Sequence, residues 1–188
     1  YYISICSLTS NKAIVCYKEG NGTAVGRAYA CVLSISGNSI TAGEPVIFNN
    51  NPIISSSISA LSANKAIVVF QDLGNTVPAL GDGVACVLEI DGMNITAGDV
   101  KIFDTCDIAA YHLSVCTLSP NKAIVTYQNG SNSANKRGTA CILNISGNVV
   151  TPQNPVEFYT GNMAYTSVCA LSSDQALVVY QDYDVSRS

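Results

Sequence analysis

The pentapeptide NKAIV occurs three times in this chain, and its even spacing constrains the fold more than any other feature. The copies begin at Asn11, Asn64 and Asn121, and a near-copy, DQALV, begins at Asp174. A leucine lies three residues before each copy, and these leucines are separated by 53, 57 and 53 residues. Self-similarity at a nearly fixed period is the sequence signature of a repeat architecture.

Further anchors share this period. Cys31, Cys86 and Cys141 recur at intervals of 55 residues within ACVL, ACVL and ACIL. A phenylalanine (positions 48, 103 and 158) and a glycine (positions 37, 92 and 147) recur at the same interval. The pattern predicts three complete units, 1–53, 54–108 and 109–163, and the first half of a fourth, 164–188. The chain begins and ends inside this pattern, so we expect it to be a segment of a longer protein or the ordered part of one.

Each unit divides into four short segments with β-strand character. The second segments, AIVCY, AIVVF, AIVTY and ALVVY, are almost continuously apolar, which predicts strands covered on both faces. Turns such as SPNK precede them, with proline and asparagine at positions that β-turns favour. The third segments contain the cysteine anchor and end in a glycine turn. The fourth segments carry Pro45, Pro155 and several charges, which are typical of an exposed edge strand.

A four-stranded antiparallel meander, stacked face to face on its neighbours, is the blade of a β-propeller. The sequence therefore predicts an all-β fold, a partial β-propeller of about 3.5 blades of about 55 residues each. A β-trefoil and a β-prism stay open as alternatives, although neither has a place for a fourth copy. Three and a half blades leave apolar faces uncovered, so we expect a ring of roughly six to eight blades. The missing blades would come from the same chain or from another subunit, and a 20 kDa monomer would count against this prediction.

The composition excludes several classes of function. Hydrophobic residues make up 48% of the chain and charged residues 12%, which is typical of a well-buried globular protein. The net charge is −4, and the nine lysines and arginines are scattered singly, so we expect no nucleic-acid partner. No apolar run approaches the roughly 20 residues that a membrane-spanning helix needs, so we expect no membrane insertion.

The eight cysteines indicate free thiols rather than a disulfide framework. Cys31, Cys86 and Cys141 hold one position in successive sheets, which lie about 10 Å apart, whereas a disulfide needs Cα atoms within about 7 Å. At another shared cysteine position the second unit has Ser59, which indicates a small space to fill. Most of the thiols are therefore predicted to be small buried hydrophobes, in a protein that folds in a reducing compartment.

The loops between the second and third segments vary in length and content while their flanks stay nearly identical. All of them should lie at one end of the propeller, and variable loops on a fixed scaffold are where binding residues are usually found. The alternatives are solvated turns and, for the repeated QD, QN and KE pairs, a hydrogen-bond cap that ends the strand. The candidate ligand-binding residues are Glu19, Asn21, Asp72, Asn75, Asp82, Gln128, Asn129, Asn132, Asp182 and Asp184.

The residue types needed for catalysis are not arranged in a recognisable pattern. His112 is the one histidine, and it is interpreted as a surface side chain. No zinc spacing, phosphate-binding loop, nucleophile elbow or calcium loop is present, so we expect no enzyme, no metal and no cofactor. Tyr17, Tyr127 and Tyr180 share their position with Phe70, which favours packing over sugar stacking.

The consensus LSxNKAIVxYQD…GxACVLxISGxxITAGxPVxF resembles a repeat of propeller-type proteins of bacteria and their phages, often found in tail-fibre or surface-recognition segments. The resemblance covers essentially the whole chain, and it carries over no catalytic residue. It implies a non-enzymatic recognition or adhesion module that binds a cell-surface glycan or protein receptor through its variable loops. The implied location is the virion, in a phage tail, or the bacterial cell surface. The alternatives are a structural spacer and the scaffold of a polysaccharide hydrolase whose catalytic residues lie outside this segment.

Overall fold

The computed structural model describes residues 3–19, 26–74, 81–105, 112–130 and 136–184. Every helix or strand found in these ranges is a β-strand, so the fold is all-β, as predicted. The strands form three five-stranded antiparallel sheets and one hairpin, which we call blades 1 to 4 in chain order. Blade 2 begins at Ile53 and blade 4 at Met163, each one residue ahead of the unit boundary drawn from the sequence.

The complete blades share one topology, in which the first three strands lie side by side and two short strands both pair with the third. Blade 1 contains β1 (Ile3–Thr9), β2 (Lys12–Lys18), β3 (Ala28–Ser36), β4 (Ser39–Ala42) and β5 (Val46–Asn49). Blade 2 contains β6 (Ile53–Ser62), β7 (Lys65–Asp72), β8 (Asp82–Asp91), β9 (Asn94–Ala97) and β10 (Lys101–Asp104). Blade 3 contains β11 (Ser114–Ser119), β12 (Lys122–Asn129), β13 (Arg137–Ser146), β14 (Val149–Pro152) and β15 (Val156–Tyr159). Blade 4 is the hairpin of β16 (Met163–Ala170) and β17 (Ala176–Asp182).

The fourth strand of each complete blade is broken in two, which differs from the single continuous strand that the sequence predicted. In blade 1 the amide of Gly43 still bonds to the carbonyl of Val32 at 2.8 Å, but the chain then leaves the ladder before Pro45. The thiol of Cys31 donates to the carbonyl of Gly43 at 3.1 Å. The equivalent cysteines do the same in the other blades, Cys86 to Gly98 at 3.2 Å and Cys141 to Gln153 at 3.1 Å. The 55-residue cysteine period therefore marks a thiol that satisfies the carbonyl at this break.

The repeated asparagine of NKAIV joins three strands at once. Its side chain bonds within the turn, as between Asn64 and Ser62 at 2.7 Å, which confirms the predicted turn chemistry. Its backbone carbonyl accepts the amide of a third-strand residue, at 2.9 Å from Ile90 to Asn64. The same bond joins Ile145 to Asn121. The turn therefore fixes the third strand against the first two, which explains why the motif recurs.

The second strand of blade 2 is buried on both faces, as its unbroken apolar sequence predicted. Val68 and Phe70 belong to the core shared with blade 1, while Ile67 and Val69 belong to the core shared with blade 3. All four side chains are fully buried. Fully burying one such side chain stabilises a protein by about 1.5–3 kcal/mol, so the blades depend on face-to-face stacking. This stacking excludes the trefoil and prism alternatives.

The first strands of successive blades are neighbours, which places them on the inner side of the stack and the broken fourth strands on the outer side. Serine hydroxyls link these inner strands. The amide of Ile58 donates to Ser4 Oγ at 3.2 Å, and the amide of Val115 donates to Ser57 Oγ at 3.2 Å. The amide of Val168 donates to Ser114 Oγ at 3.1 Å. Each serine stands four residues before the leucine anchor of its unit, so one bond is repeated at all three blade interfaces.

The two ends of the stack expose apolar side chains, as the sequence predicted. On blade 1, Ile3 and Ile40 are 70% and 68% exposed. On blade 4, Leu171 and Val179 are 64% and 55% exposed.

Candidate functional site

The candidate residues lie where the second strands end and the third strands begin. In blade 2 the last residue of β7, Asp72, pairs with the first residue of β8, Asp82, and also with Ile53 at the start of β6. In blade 3 Asn129 pairs with Arg137 in the same way. The start of the inner strand and the base of the variable loop therefore share one end of each blade, which we call the loop end.

Asp72 connects blade 2 to blade 1. Its Oδ2 accepts hydrogen bonds from the side-chain amides of Asn49 at 3.2 Å and Asn51 at 3.0 Å. Its Oδ1 accepts the backbone amide of Gly74 at 2.8 Å, which shapes the start of the loop. The carboxylate is half-buried and is engaged by three donors.

The same connection recurs at the next two interfaces with different chemistry. Between blades 2 and 3, Asn129 donates to Asp104 Oδ2 at 3.1 Å, and the hydroxyl of Tyr127 donates to the same oxygen at 2.6 Å. Between blades 3 and 4, a hydrogen bond from Tyr159 to Asp182, together with burial and nearby carboxylates, raises the pKa of the Tyr159 hydroxyl to about 12. These contacts resemble the hydrogen-bond cap at the strand end that is the alternative to ligand binding. They differ from it in that the residue bonded to the end of the strand lies on the preceding blade.

Of the other candidates, Gln128 is 2% exposed, and its side-chain amide donates to the carbonyl of Met163 in blade 4. Asp184 is exposed and accepts the amide of Asn162 at 2.6 Å. Glu19 is exposed, and a hydrogen bond with its carboxylate is the main cause of a raised pKa at Tyr29. Asp82 is half-buried. The remaining candidates lie outside the described residues: Asn21, Asn75 and Asn132.

Aromatic residues pair across all three interfaces near the loop end. Phe48 contacts Phe70 edge-on with ring centroids 5.3 Å apart. Phe103 meets Tyr127 at 5.3 Å, and Phe158 meets Tyr180 at 5.7 Å. The phenylalanine period seen in the sequence is therefore one side of a repeated contact between blades. Phe70 and Tyr127 are fully buried, in agreement with the predicted packing role of this position, whereas Tyr180 is 40% exposed.

One aromatic pair at the loop end was not predicted. The rings of His112 and Tyr165 lie 3.9 Å apart between centroids, in blades 3 and 4. Tyr165 is 60% exposed and has a φ of 50°, which is unusual for an aromatic residue. It lies in a β-bulge of β16, and Ser55 has a φ of 53° in the equivalent bulge of β6. Bulges of this kind redirect side chains, and sequence periodicity does not reveal them.

His112 is half-buried rather than a fully exposed surface residue. Burial, with a smaller contribution from the charge of Lys136, lowers the pKa of its imidazole below the usual 6.5. The neutral ring is therefore favoured near pH 7, which suits the tilted ring contact with Tyr165.

The cysteines of the described ranges are all free thiols: Cys6, Cys16, Cys31, Cys86, Cys116, Cys141 and Cys169. Burial raises the pKa of the Cys86 thiol to about 12 and that of Cys16 to about 11. Because the thiolate is the reactive form, these groups are poor nucleophiles near neutral pH. Cys106 lies outside the described residues.

The described residues contain neither a metal-binding group nor a membrane-spanning helix. In these five ranges no three or more histidine, cysteine, aspartate or glutamate side chains come together as a metal-binding group. The same part of the chain contains no helix with the length and apolar character to span a membrane.

Antiparallel blades that stack through both faces, with their first strands inside, define this chain as a segment of a β-propeller. Structures of the NanB sialidase are among the solved structures that it resembles. A variant of NanB from Streptococcus pneumoniae matches with a TM-score of 0.67 and 15% sequence identity, over 96% of this chain and 27% of the sialidase chain. NanB from the same organism in complex with 2-[(3-chlorobenzyl)ammonio]ethanesulfonate matches with a TM-score of 0.64 and 14% identity over the same shares.

This similarity concerns the fold alone, because the sequences are only 14–15% identical. The chain spans about a quarter of the length of the sialidase chains that it matches. No protein-family model matches the sequence, and no curated protein is significantly similar to it.

Proposed function

We propose that this chain is part of the scaffold of a glycan-directed β-propeller, in which any catalytic groups lie outside the described residues. The observation that carries the proposal is the use of polar groups at the loop end. Asp72, Asn129 and Asp182 each bond to a residue of the preceding blade and thereby hold the stack together. A scaffold needs such connections, whereas a catalytic carboxylate must be available to its substrate.

The fold comparison supports the glycan-directed part of this proposal. The NanB sialidase has a similar fold over the matched region, and this chain corresponds to about a quarter of its length. A shared propeller does not by itself imply a shared activity, because function depends on the site that is built on the fold. The proposal is therefore limited to a glycan as the class of ligand, and it assigns no reaction to this chain.

The test compares the 188-residue chain with a protein in which it is joined to the rest of its propeller. Both are assayed for binding on a glycan array and for hydrolysis of sialosides and other glycans, after circular dichroism has shown that each is folded. We expect glycan binding or turnover by the longer protein and no turnover by the chain alone. Turnover by the chain alone, or no response to any glycan by the longer protein, would contradict the proposal.

A second candidate is a recognition module that binds a cell-surface glycan or protein without catalysis. The observation that favours it is the exposed Tyr165 ring, which lies tilted against His112 at the loop end. Aromatic rings offer apolar faces of the kind that stack against ligand rings. Tyr165→Ala should weaken glycan binding about 2- to 10-fold, which corresponds to roughly 0.5–1.5 kcal/mol for one aromatic contact.

Tyr183→Ala is the matched control, since Tyr183 is 52% exposed and has no ring contact among the described residues. Equal effects of the two substitutions would remove the support for this candidate. A phage-tail or bacterial-surface setting, a role as a spacer, and folding in a reducing compartment all stay predictions. Tail genes beside the coding sequence would favour the first of these.

A further inference from the structure

The face of blade 1 that points away from blade 2 has the composition of a buried interface. We call it the leading face and define it by Ile3, Ile5, Tyr17, Ile35 and Ile40. These residues belong to one face, because Ile3 pairs with Tyr17 and Ile35 pairs with Ile40 across neighbouring strands. The opposite face of the same sheet packs on blade 2 through Cys16 and Ala30, among others.

Equivalent positions in the other blades are covered. Ile5 is 58% exposed, whereas Ile58, at the same position of blade 2, is 5% exposed. Ile40 is 68% exposed, whereas its equivalents Ile95 and Val150 are 7% and 2% exposed. At both positions the residue is apolar in every blade that has it, and what differs is the presence of a preceding blade.

The polar features of a blade interface are also present on the leading face. The backbone amide of Ile5 is equivalent in the repeat to those of Ile58 and Val115, which donate to a serine hydroxyl of the preceding blade. The carbonyl of Gly37 stands where that of Gly92 accepts the Lys12 ammonium at 3.1 Å.

The same is true at the loop end of this face. Tyr17 stands where Phe70 meets the phenylalanine of the preceding blade. Glu19 stands where Asp72 accepts bonds from Asn49 and Asn51. A preceding blade would therefore find an amide, a carbonyl, an aromatic ring and a carboxylate at the positions where these blades present such groups.

We propose that the leading face docks a complete blade of this same repeat, which places a serine against the Ile5 amide and a phenylalanine against Tyr17. Opposite Glu19 the docked blade carries a hydrogen-bond donor such as Asn49 or Tyr159, because a carboxylate like Asp104 would meet a like charge there. The inference holds whatever ligand the propeller binds, so it is independent of the proposed function.

A second copy of the chain fits this face less well. The hairpin of blade 4 would be the element to cover it, and Ser167 could meet the Ile5 amide as the other serines do. However, Gln175 stands at the position of Lys12 and Lys65, so the Gly37 carbonyl would face a shorter, uncharged side chain in place of the lysine ammonium. A hairpin of two strands also lacks the outer strand that carries the phenylalanine in blades 1 to 3.

The test extends the chain by one blade. A copy of residues 1–53 is placed directly before residue 1, which preserves the natural spacing of 53 residues between the first two leucine anchors. Hydrogen–deuterium exchange is then measured at the original Ile5 amide in the parent and extended chains. We expect exchange to slow about tenfold or more in the extended chain, because the amide gains an acceptor and a cover.

Two matched variants change only the added copy. Ser4→Ala in that copy removes the acceptor. Exchange at the Ile5 amide should then rise most of the way back to its rate in the parent chain, while the rest of the new interface stays protected. Asn49→Asp in that copy should weaken the docking, because it places a second carboxylate opposite Glu19. Ser39→Ala in the added copy is the control, because Ser39 is exposed on β4.

Unchanged exchange at Ile5 in a folded extended chain would overturn the proposal. So would failure of the extended chain to fold under conditions in which the parent folds, because a face built to receive a blade should accept one. Protection of Ile5 in a head-to-tail dimer of the parent chain, seen by light scattering, would identify a second copy as the occupant and would also overturn it.

Discussion

Replacing Ser57 with alanine tests whether the serine bonds between inner strands stabilise the stack. Ser57 Oγ accepts the backbone amide of Val115 at 3.2 Å, across the interface of blades 2 and 3. Val115 is 6% exposed, so its amide has little access to water as a substitute acceptor. The substitution removes one oxygen atom and leaves the rest of the interface in place.

The cost follows from the burial of the donor that remains. A typical intramolecular hydrogen bond contributes about 0.5–1.5 kcal/mol, but a buried donor left without an acceptor costs about 1–3 kcal/mol. Because Ser57 itself is only half-buried, we expect a loss of about 1–2 kcal/mol in the free energy of unfolding. For a chain of this length that corresponds to a decrease of roughly 2–8 °C in Tm.

The assay is urea denaturation followed by circular dichroism, with hydrogen exchange measured at Val115. Ser57→Thr retains the hydroxyl and should restore part of the lost stability. Ser39→Ala changes an exposed serine and should stay within about 0.5 kcal/mol of the parent. If Ser57→Ala leaves both the unfolding free energy and the exchange rate of Val115 unchanged, the serine bonds do not hold the blades together.

Three further predictions concern single side chains. Tyr127→Phe removes the 2.6 Å hydrogen bond to Asp104 but keeps an aromatic ring like that of Phe70 in blade 2. It should lower the free energy of unfolding, measured by urea denaturation, by about 1–3 kcal/mol. An unchanged free energy of unfolding would mean that this buried bond contributes nothing. The lowered pKa of His112 means that the unfolded chain binds more protons, so stability should fall as the pH drops through 6.5 towards the folded-state pKa, and His112→Phe should flatten that part of a pH–stability curve. Because burial raises the pKa of the Cys86 thiol to about 12, iodoacetamide at pH 8 should label it slowly in the folded protein and rapidly in denaturant; rapid labelling of the folded protein would refute its burial.

Much of the fold could be predicted because the repeated residues serve local and repeated roles. The unbroken apolar run of Ile67 to Phe70 predicted a strand covered on both faces, and this is confirmed. The turn at Asn64 was predicted from its residue types, and this is also confirmed. The propeller interpretation of the resemblance agrees with the stacked blades and with the sialidase comparison, while its phage-tail part stays a prediction.

The features that were missed depend on contacts between units or on backbone geometry. The run SITAGEPVIF does not by itself predict that the ladder breaks after Gly43. In the structure the break is marked by the hydrogen bond from the Cys31 thiol to the Gly43 carbonyl, which the sequence does not reveal. The residue pair at Gln71 and Asp72 suggested a cap, but its partner Asn49 lies 23 residues away in another blade. The Tyr165 ring reaches His112 through a bulge with a left-handed backbone, which periodicity does not encode.

The serine bond repeated at the three blade interfaces has a consequence for how such chains evolve. Ser4, Ser57 and Ser114 each make it, whereas the polar pair at the loop end differs from one interface to the next. Unequal crossing-over that adds or deletes one unit therefore creates a new junction whose inner strands already match. Substitutions are then needed only in the loop-end pair.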